Sequence, residues 1–321
     1  MPKAPSRLSA LALAVLVTFL WSTSWVLIKF GLRSNLPPVT FAGLRYSLAF
    51  LCLAPVVLLN RSARRELFTL SSADWGKLAL LGILTYTITQ AAQYLALAFL
   101  PAAMLSLLLN MTSLFVALAG IYALKEVPSP LQWVGIFLTI LGAGAYFLPV
   151  ALKAAQWMGI FFALICLSGN AGISLFARQI NRQGIHSALL VTFVSMGLGS
   201  ILMLGIGVIT QGIGALTARD WVIIAWLAFV NTALTFTIWN HTLRTLSAME
   251  SSIVNSLMMP QIAILAYVFL RESLSVKEII GLILVGVGVV IAQLRRSRAD
   301  DRSGVPSERP VQIRRESDLP H

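Results

Sequence analysis

Acidic side chains are scarce: 12 Asp and Glu stand against 24 Lys and Arg in 321 residues, and each acid falls in a loop, in the C-terminal tail or near the end of an apolar run. A proton-driven carrier often places a carboxylate or histidine at mid-membrane. None is evident here, which leaves Glu250 and His241 as the coupling candidates. Cysteine is nearly absent as well. Cys52 and Cys166 sit inside apolar runs without CxxC or Cys/His spacing, so neither a disulfide framework nor a zinc site is expected. The chain has no G-x-x-x-x-G-K-[ST] loop, which argues against ATP hydrolysis. It has no G-x-S-x-G elbow and no His/Cys/Asp/Glu cluster, which argues against a serine hydrolase or metalloenzyme. No catalytic residue, metal ligand or cofactor is expected.

Charge of either sign makes up only 11% of the chain and hydrophobic residues 58%, with a mean hydropathy of +0.84. Such a composition places most of the chain in lipid. A run of about 20 apolar residues crosses the hydrocarbon layer as a helix, and about ten such runs are present: 8–31, 38–59, 77–98, 102–123, 131–150, 156–177, 187–209, 220–242, 248–270 and 277–294. The first is too long for a signal-peptide core and is read as a retained helix. The fold class is thus an all-α integral membrane protein.

The net charge of +12 comes from basic residues at span ends, such as Arg61, Arg64, Arg65 and the cluster at Arg295. Their partner is the lipid headgroup layer, and no nucleic acid is expected. The positive-inside rule places both termini in the cytoplasm, because Lys3, Arg7, Arg61, Arg64, Arg65, Lys77, Lys125, Arg178, Arg182 and Arg244 then share that side. Residues 1–7 form a short cytoplasmic N-terminus, and the tail 295–321 reads as a disordered cytoplasmic extension.

The chain also matches itself. At an offset of 146, Lys125-Glu126 falls on Arg271-Glu272, Ser129 on Ser275, Gly135 on Gly281 and Gly142 on Gly288. Two units, 8–150 and 151–294, follow from that register. With five helices each, an odd number, the second unit enters the membrane upside down, as in transporters whose substrate site lies near the midplane between inverted repeats.

The segments "LWSTSWVLIKFG", "PPVTFAGLRYSLAFL", "YALKEVPSPLQWVGIFLTILGAG" and "VFLRESLSVKEIIGLILVGVGVV", in this order and spacing, resemble the EamA family of the drug/metabolite transporter superfamily over nearly the whole chain. The resemblance implies a ten-helix secondary transporter in a bacterial cytoplasmic membrane, usually an exporter of amino acids, related metabolites or toxic compounds. It also implies a central cavity lined mainly by helices 1, 3, 4, 6, 8 and 9. The alternatives are a receptor or partner subunit without flux of its own, and a lipid flippase.

Polar residues inside the spans are the candidates for that cavity. In the first span Thr18, Trp21, Ser22, Trp25 and Lys29 share one arc at about 100° per residue. They either face an aqueous cavity or pack against neighbouring helices, with Lys29 snorkelling outward. Tyr86, Gln90, Gln93 and Tyr94 share a face of the third span. Asn110, Asn170, Asn231 and Asn255 add amides near mid-membrane, able to read a small polar solute or to bond another helix. Arg45, about 10 Å into the second span, is either a structural bond to a helix end or a gating or anion-attracting group. Pro260 breaks the ninth span's hydrogen bonding and makes a kink or hinge. Gly142, Gly144, Gly286 and Gly288 read as close-packing positions in spans 5 and 10.

Overall fold

The computed structural model describes residues 6–112, 115, 129–148, 152–183, 187–242, 245, 246 and 248–294. Its helices are α1 (Arg7–Arg33), α2 (Pro38–Leu59), α3 (Arg61–Phe68), α4 (Ser72–Phe99), α5 (Ala102–Asn110), α6 (Pro130–Phe147), α7 (Ala154–Gln183), α8 (Ala188–Gln211), α9 (218–242), α10 (Ala248–Ser256), α11 (258–270) and α12 (Val276–Leu294). Seven of the described helical stretches are long and apolar enough to cross a membrane, or eight if α3 and α4, bent 107° from each other, count as one broken span. About ten were expected. The span expected at 102–123 is described only through Thr112 and at Phe115, whereas the one expected at 248–270 is among the seven, as Ile253–Leu270, with a break at Leu257. Lys3, Lys125, Glu126, Arg244 and the tail 295–321 lie outside the described residues.

The break at Leu257 has a local cause. Pro260 has no N–H to give to the carbonyl of Ser256, and its ring crowds that carbonyl, so the helix is interrupted one turn earlier. Outward faces are apolar, with Phe137, Ile264, Tyr267 and Val222 all more than half exposed, while Arg45, Thr18, Ser22 and Asn231 are buried. That inversion of the soluble pattern is what a lipid solvent demands.

Contacts between helix ends define two rims. At the first, Arg7 of α1 pairs with Glu250 of α10, and Glu66 of α3 accepts the N–H and hydroxyl of Ser187 at the start of α8 (2.6 and 2.7 Å). At the second, Arg33 donates to the Leu270 carbonyl (3.2 Å), Lys277 donates to the Leu148 carbonyl, and the Glu272 carboxylate accepts the first N–H groups of α5 from Ala102 and Ala103 (2.9 and 3.3 Å). The last contact closes a helix N-terminus with an anion, where the orphan N–H groups and the helix dipole both favour one.

Three structural devices recur at the 146-residue offset. The first is the capping box. Ser71–Asp74 opens α4 and Ser129–Gln132 opens α6, while Thr217–Asp220 opens α9 and Ser275–Glu278 opens α12. In each, a hydroxyl accepts the N–H three residues on and that residue's side chain accepts the hydroxyl residue's own N–H. Each box of the second half lies 146 residues after its counterpart. Ser71 and Ser129 lie at the first rim, Thr217 and Ser275 at the second. Thr217→Ala and Ser275→Ala are each expected to cost about 1 kcal/mol, read as a lowered thermal midpoint in detergent micelles. An unchanged midpoint for both would show that these boxes do not hold the helix ends.

The second device is a glycine seam between α6 and α12, whose helices pack along their length. A Cβ at Gly135 would lie 2.6 Å from the Gly288 carbonyl oxygen, and one at Gly142 would lie 2.7 Å from that of Gly281. The four glycines pair reciprocally, each with the counterpart of the other's repeat position. Gly144 meets nothing within 4 Å and Gly286 meets only the Met259 methyl at 3.2 Å, so these two positions do not form the close seam expected of them.

The third device is a π-helical segment within a long helix: Ile83–Gln90 inside α4 and Phe229–Leu234 inside α9, beginning 146 residues apart. A threonine hydroxyl reaches back five residues in each, from Thr89 to the Leu84 carbonyl (2.7 Å) and from Thr232 to the Leu227 carbonyl (2.9 Å). Hydroxyls thus bond carbonyls within the widened turns, where backbone hydrogen bonding departs from the α pattern.

Candidate functional site

Arg45 faces inward from α2 and is 5% exposed. Its Nε donates to the Thr232 hydroxyl of α9 (3.2 Å) and its Nη1 to the Tyr94 hydroxyl of α4 (3.1 Å). The guanidinium carbon lies 4.9 Å from the centroid of the Tyr46 ring. Tyr46 in turn donates to the Gln90 amide oxygen (2.8 Å) and meets Tyr86 edge-on at 5.4 Å, while Phe41 packs edge-on against Tyr94 at 5.2 Å. The π segment of α4 supplies Tyr86 and Gln90, and that of α9 supplies Thr232. Arg45 makes no ion pair among the described residues. A buried guanidinium held by neutral hydroxyls, an amide-bonded tyrosine and an aromatic face can accept an anion, because nothing in its shell already neutralises it.

The stripe on α1 has a different fate at each level. The Trp21 indole N–H donates to the Thr235 hydroxyl (3.0 Å), and its ring lies 5.8 Å from Phe236 and 5.3 Å from Trp239, so it is keyed into α9. The single Ser22 hydroxyl proton has two acceptors within reach, the Thr18 carbonyl (2.8 Å) and the amide oxygen of Gln261 on α11 (3.0 Å). Trp25 is buried in the core cluster. Lys29 lines a cavity of about 460 Å³ at the second rim, with Leu32, Arg33, Asn35, Pro38 and Leu97. The upper part of the stripe therefore faces a cavity, and the rest joins α1 to α9 and α11.

Among the amides, Asn231 is 1% exposed and its Nδ2 donates to the Leu20 carbonyl and to the Thr23 hydroxyl (3.1 Å) of α1, leaving its buried Oδ1 without a partner among the described residues. Thr85, which stands 146 residues earlier in the π segment of α4, likewise has a buried hydroxyl without a partner there. Asn110 donates to the Ser106 carbonyl of its own helix (2.8 Å), and Asn170 to the Cys166 sulfur (3.7 Å). Gln93 is half-buried on α4 and Asn255 is exposed on α10. His241 is half-buried in the last turn of α9. Glu250 is engaged by Arg7 at 2.5 Å, beside an apolar layer of Ala10, Ala14, Leu246 and Val254.

The structure thus gathers Arg45, Tyr86, Gln90 and Tyr94 into one constellation and keeps Lys29 in the cavity next to it. Tyr46, Thr232 and Gln261 belong to these networks and were missed in sequence. Gln261 had a readable signal, an amide in the apolar run "MMPQIAIL"; Thr232 had none, since a lone threonine in an apolar helix is ordinary.

Comparison with known proteins agrees with this architecture. Over 292 residues, 87% of this chain and 93% of the other, the sequence is 27% identical to a probable amino-acid metabolite efflux pump of Salmonella typhimurium. It is 32% identical over 130 residues to an uncharacterized transporter of Archaeoglobus fulgidus, a match spanning 40% of this chain and 43% of that protein. A solved crystal structure shares the fold at a TM-score of 0.63 and 17% identity, covering 91% of this chain and 99% of its own. Residues 8–148 and 157–293 each match the EamA-like transporter family. With nearly the whole chain matched in two successive copies, this multi-pass membrane protein belongs to the EamA-like transporter family.

Proposed function

We propose that this transporter is a secondary exporter of small metabolites, amino acids and related compounds or drug-like molecules, working by alternating access between two inverted five-helix units, 8–150 and 151–294. Both termini would lie in the cytoplasm of a bacterial inner membrane, with the first rim inside. The observation that carries this reading is the recurrence at one offset of capping boxes on opposite rims and of π segments on both sides of Arg45. Equivalent helices that can exchange roles across a shared polar centre are what alternating access requires. Among the described residues the first rim carries the Arg7–Glu250 pair and the Ala10, Ala14, Leu246 and Val254 layer, and the second rim holds a cavity lined by Lys29 and Arg33. The named efflux relative supports amino-acid metabolites as the solute class.

Counterflow in proteoliposomes tests the proposal, with a labelled panel of amino acids and small metabolites and an imposed pH gradient as second variable. Saturable exchange of one class is expected, lowered several-fold in Gln90→Ala, which removes the acceptor of Tyr46. Gradient stimulation would show proton coupling and point to His241 or Glu250, whose alanine variants would then be compared. Absence of flux for every compound would discard the carrier reading in favour of a receptor or partner subunit.

A further inference from the structure

We propose that Arg45 is the residue that takes the carboxylate of the transported solute, an inference that rests on the transporter function above and adds the group recognised and its partner. Three observations carry it. The first is electrostatic. Arg45 is buried and makes no ion pair among the described residues, and its surroundings are neutral: Tyr94, Thr232, Tyr46 and, behind Tyr46, Gln90. A buried charge is ordinarily paired. Here the missing partner is an anion that comes and goes.

The second is the geometry of the guanidinium. Nε is given to Thr232 and Nη1 to Tyr94, while Nη2 has no acceptor among the described residues. A carboxylate grips a guanidinium with two parallel bonds, through Nη1 and Nη2 or through Nε and Nη2. Both forks use Nη2. An entering carboxylate therefore finds one nitrogen vacant and displaces a single neutral hydroxyl to complete either fork.

The third is the route. Pro38 and Leu97 line the cavity at the second rim. Tyr94 lies one turn below Leu97, and Arg45 two turns below Pro38, about 10 Å at the helical rise. Lys29 and Arg33 are the charged residues lining that cavity, with no acid among its lining residues. An anion entering there would meet Lys29 and Arg33, with Glu272 near Lys29, before reaching Arg45, and Tyr86, Gln90 and Thr232 come from the two π segments.

The test compares counterflow of common L-amino acids with that of their carboxamides, which lack only the carboxylate charge, in wild-type protein, Arg45→Gln, Arg45→Lys, Tyr94→Phe and Thr232→Val. Wild type is expected to prefer the acids by about tenfold or more in KM. Arg45→Gln abolishes that preference while saturable exchange of the carboxamide continues. Should Arg45→Gln fail to fold, Arg45→Lys, which keeps the charge but loses the fork, retains only part of the preference. Tyr94→Phe removes the hydroxyl displaced in the Nη1–Nη2 fork and Thr232→Val the one displaced in the Nε–Nη2 fork, so one of the two lowers KM for the acid about two- to fivefold while that for the carboxamide stays put. A purely structural Arg45 would move both solutes together. An undiminished acid preference in Arg45→Gln, or equal handling of acid and carboxamide by the wild type, overturns the assignment while the transporter stands. No exchange of either solute by the wild type removes the proposed function and this assignment with it.

Discussion

Replacing Gly142 with alanine is expected to cost about 2–3 kcal/mol of stability, whereas Gly144→Ala, two residues on, should be neutral or stabilising by up to about 1 kcal/mol. The added methyl group is the same and only its surroundings differ. At Gly142 it meets the Gly281 carbonyl oxygen and the Val285 nitrogen at 2.7 Å each, both backbone atoms of α12 that cannot rotate away. Relief requires separating α6 from α12, and in lipid that seam is held by close packing rather than by a hydrophobic driving force. At Gly144 nothing lies within 4 Å, so the methyl projects into open space and its main effect is to stiffen the helix. Gly135, Gly281 and Gly288 should behave like Gly142. Thermal unfolding of the purified variants in detergent, followed by tryptophan fluorescence, measures the contrast, and equal midpoints for Gly142→Ala and Gly144→Ala would show that the seam is looser than described.

Asn231→Asp is expected to be the most damaging single polar substitution, at about 3–5 kcal/mol, enough to prevent recovery of monodisperse protein. The Asn231 amide donates to the Leu20 carbonyl and the Thr23 hydroxyl, joining α9 to α1 in the middle of the bundle. Aspartate has no amide donor to offer and sets a buried charge against a carbonyl oxygen. Asn231→Leu, of similar size, removes the donors together with the unpartnered Oδ1. Its cost should stay near 1–2 kcal/mol, because no charge is introduced. Expression yield, size-exclusion profile and thermal midpoint read out both variants. An aspartate variant as stable as the wild type would mean that the α1–α9 joint is wet and adaptable.

These two effects share a cause with the Arg45 constellation. In lipid the free energy of a polar or closely approaching group depends on its neighbour, because no water is present to satisfy it. Small residues at α6–α12 let backbones meet. Polar residues at α1, α2, α4 and α9 bond across helices, and at Arg45 one guanidinium nitrogen has no acceptor among the described residues.

Much of the architecture was legible in the chain itself. Composition and run length specified a multi-pass helical membrane protein, because a span must satisfy its backbone internally and cover itself with apolar side chains. The 146-residue self-match was visible in Ser129 and Ser275, Gly135 and Gly281, and Gly142 and Gly288. The capping boxes follow from the hydroxyl-x-x-acid or hydroxyl-x-x-amide spacing at the same register. These are local or periodic properties, and local chemistry is enough to express them.

Partners were decided by tertiary structure. A helical wheel treats each helix alone, so it placed Trp21, Ser22 and Trp25 on one polar arc without saying what that arc would meet. Trp21 finds Thr235 across 214 positions of sequence, Ser22 finds Gln261 across 239, and Arg45 finds Thr232 across 187. The π segments add turns that do not follow the 3.6-residue period on which the wheel rests. Sequence by itself determined that these polar groups lie in the membrane. Only the packed bundle decided which of them bond each other and which, like Nη2 of Arg45, have no acceptor among the described residues, because in lipid a polar group's partner must come from another helix.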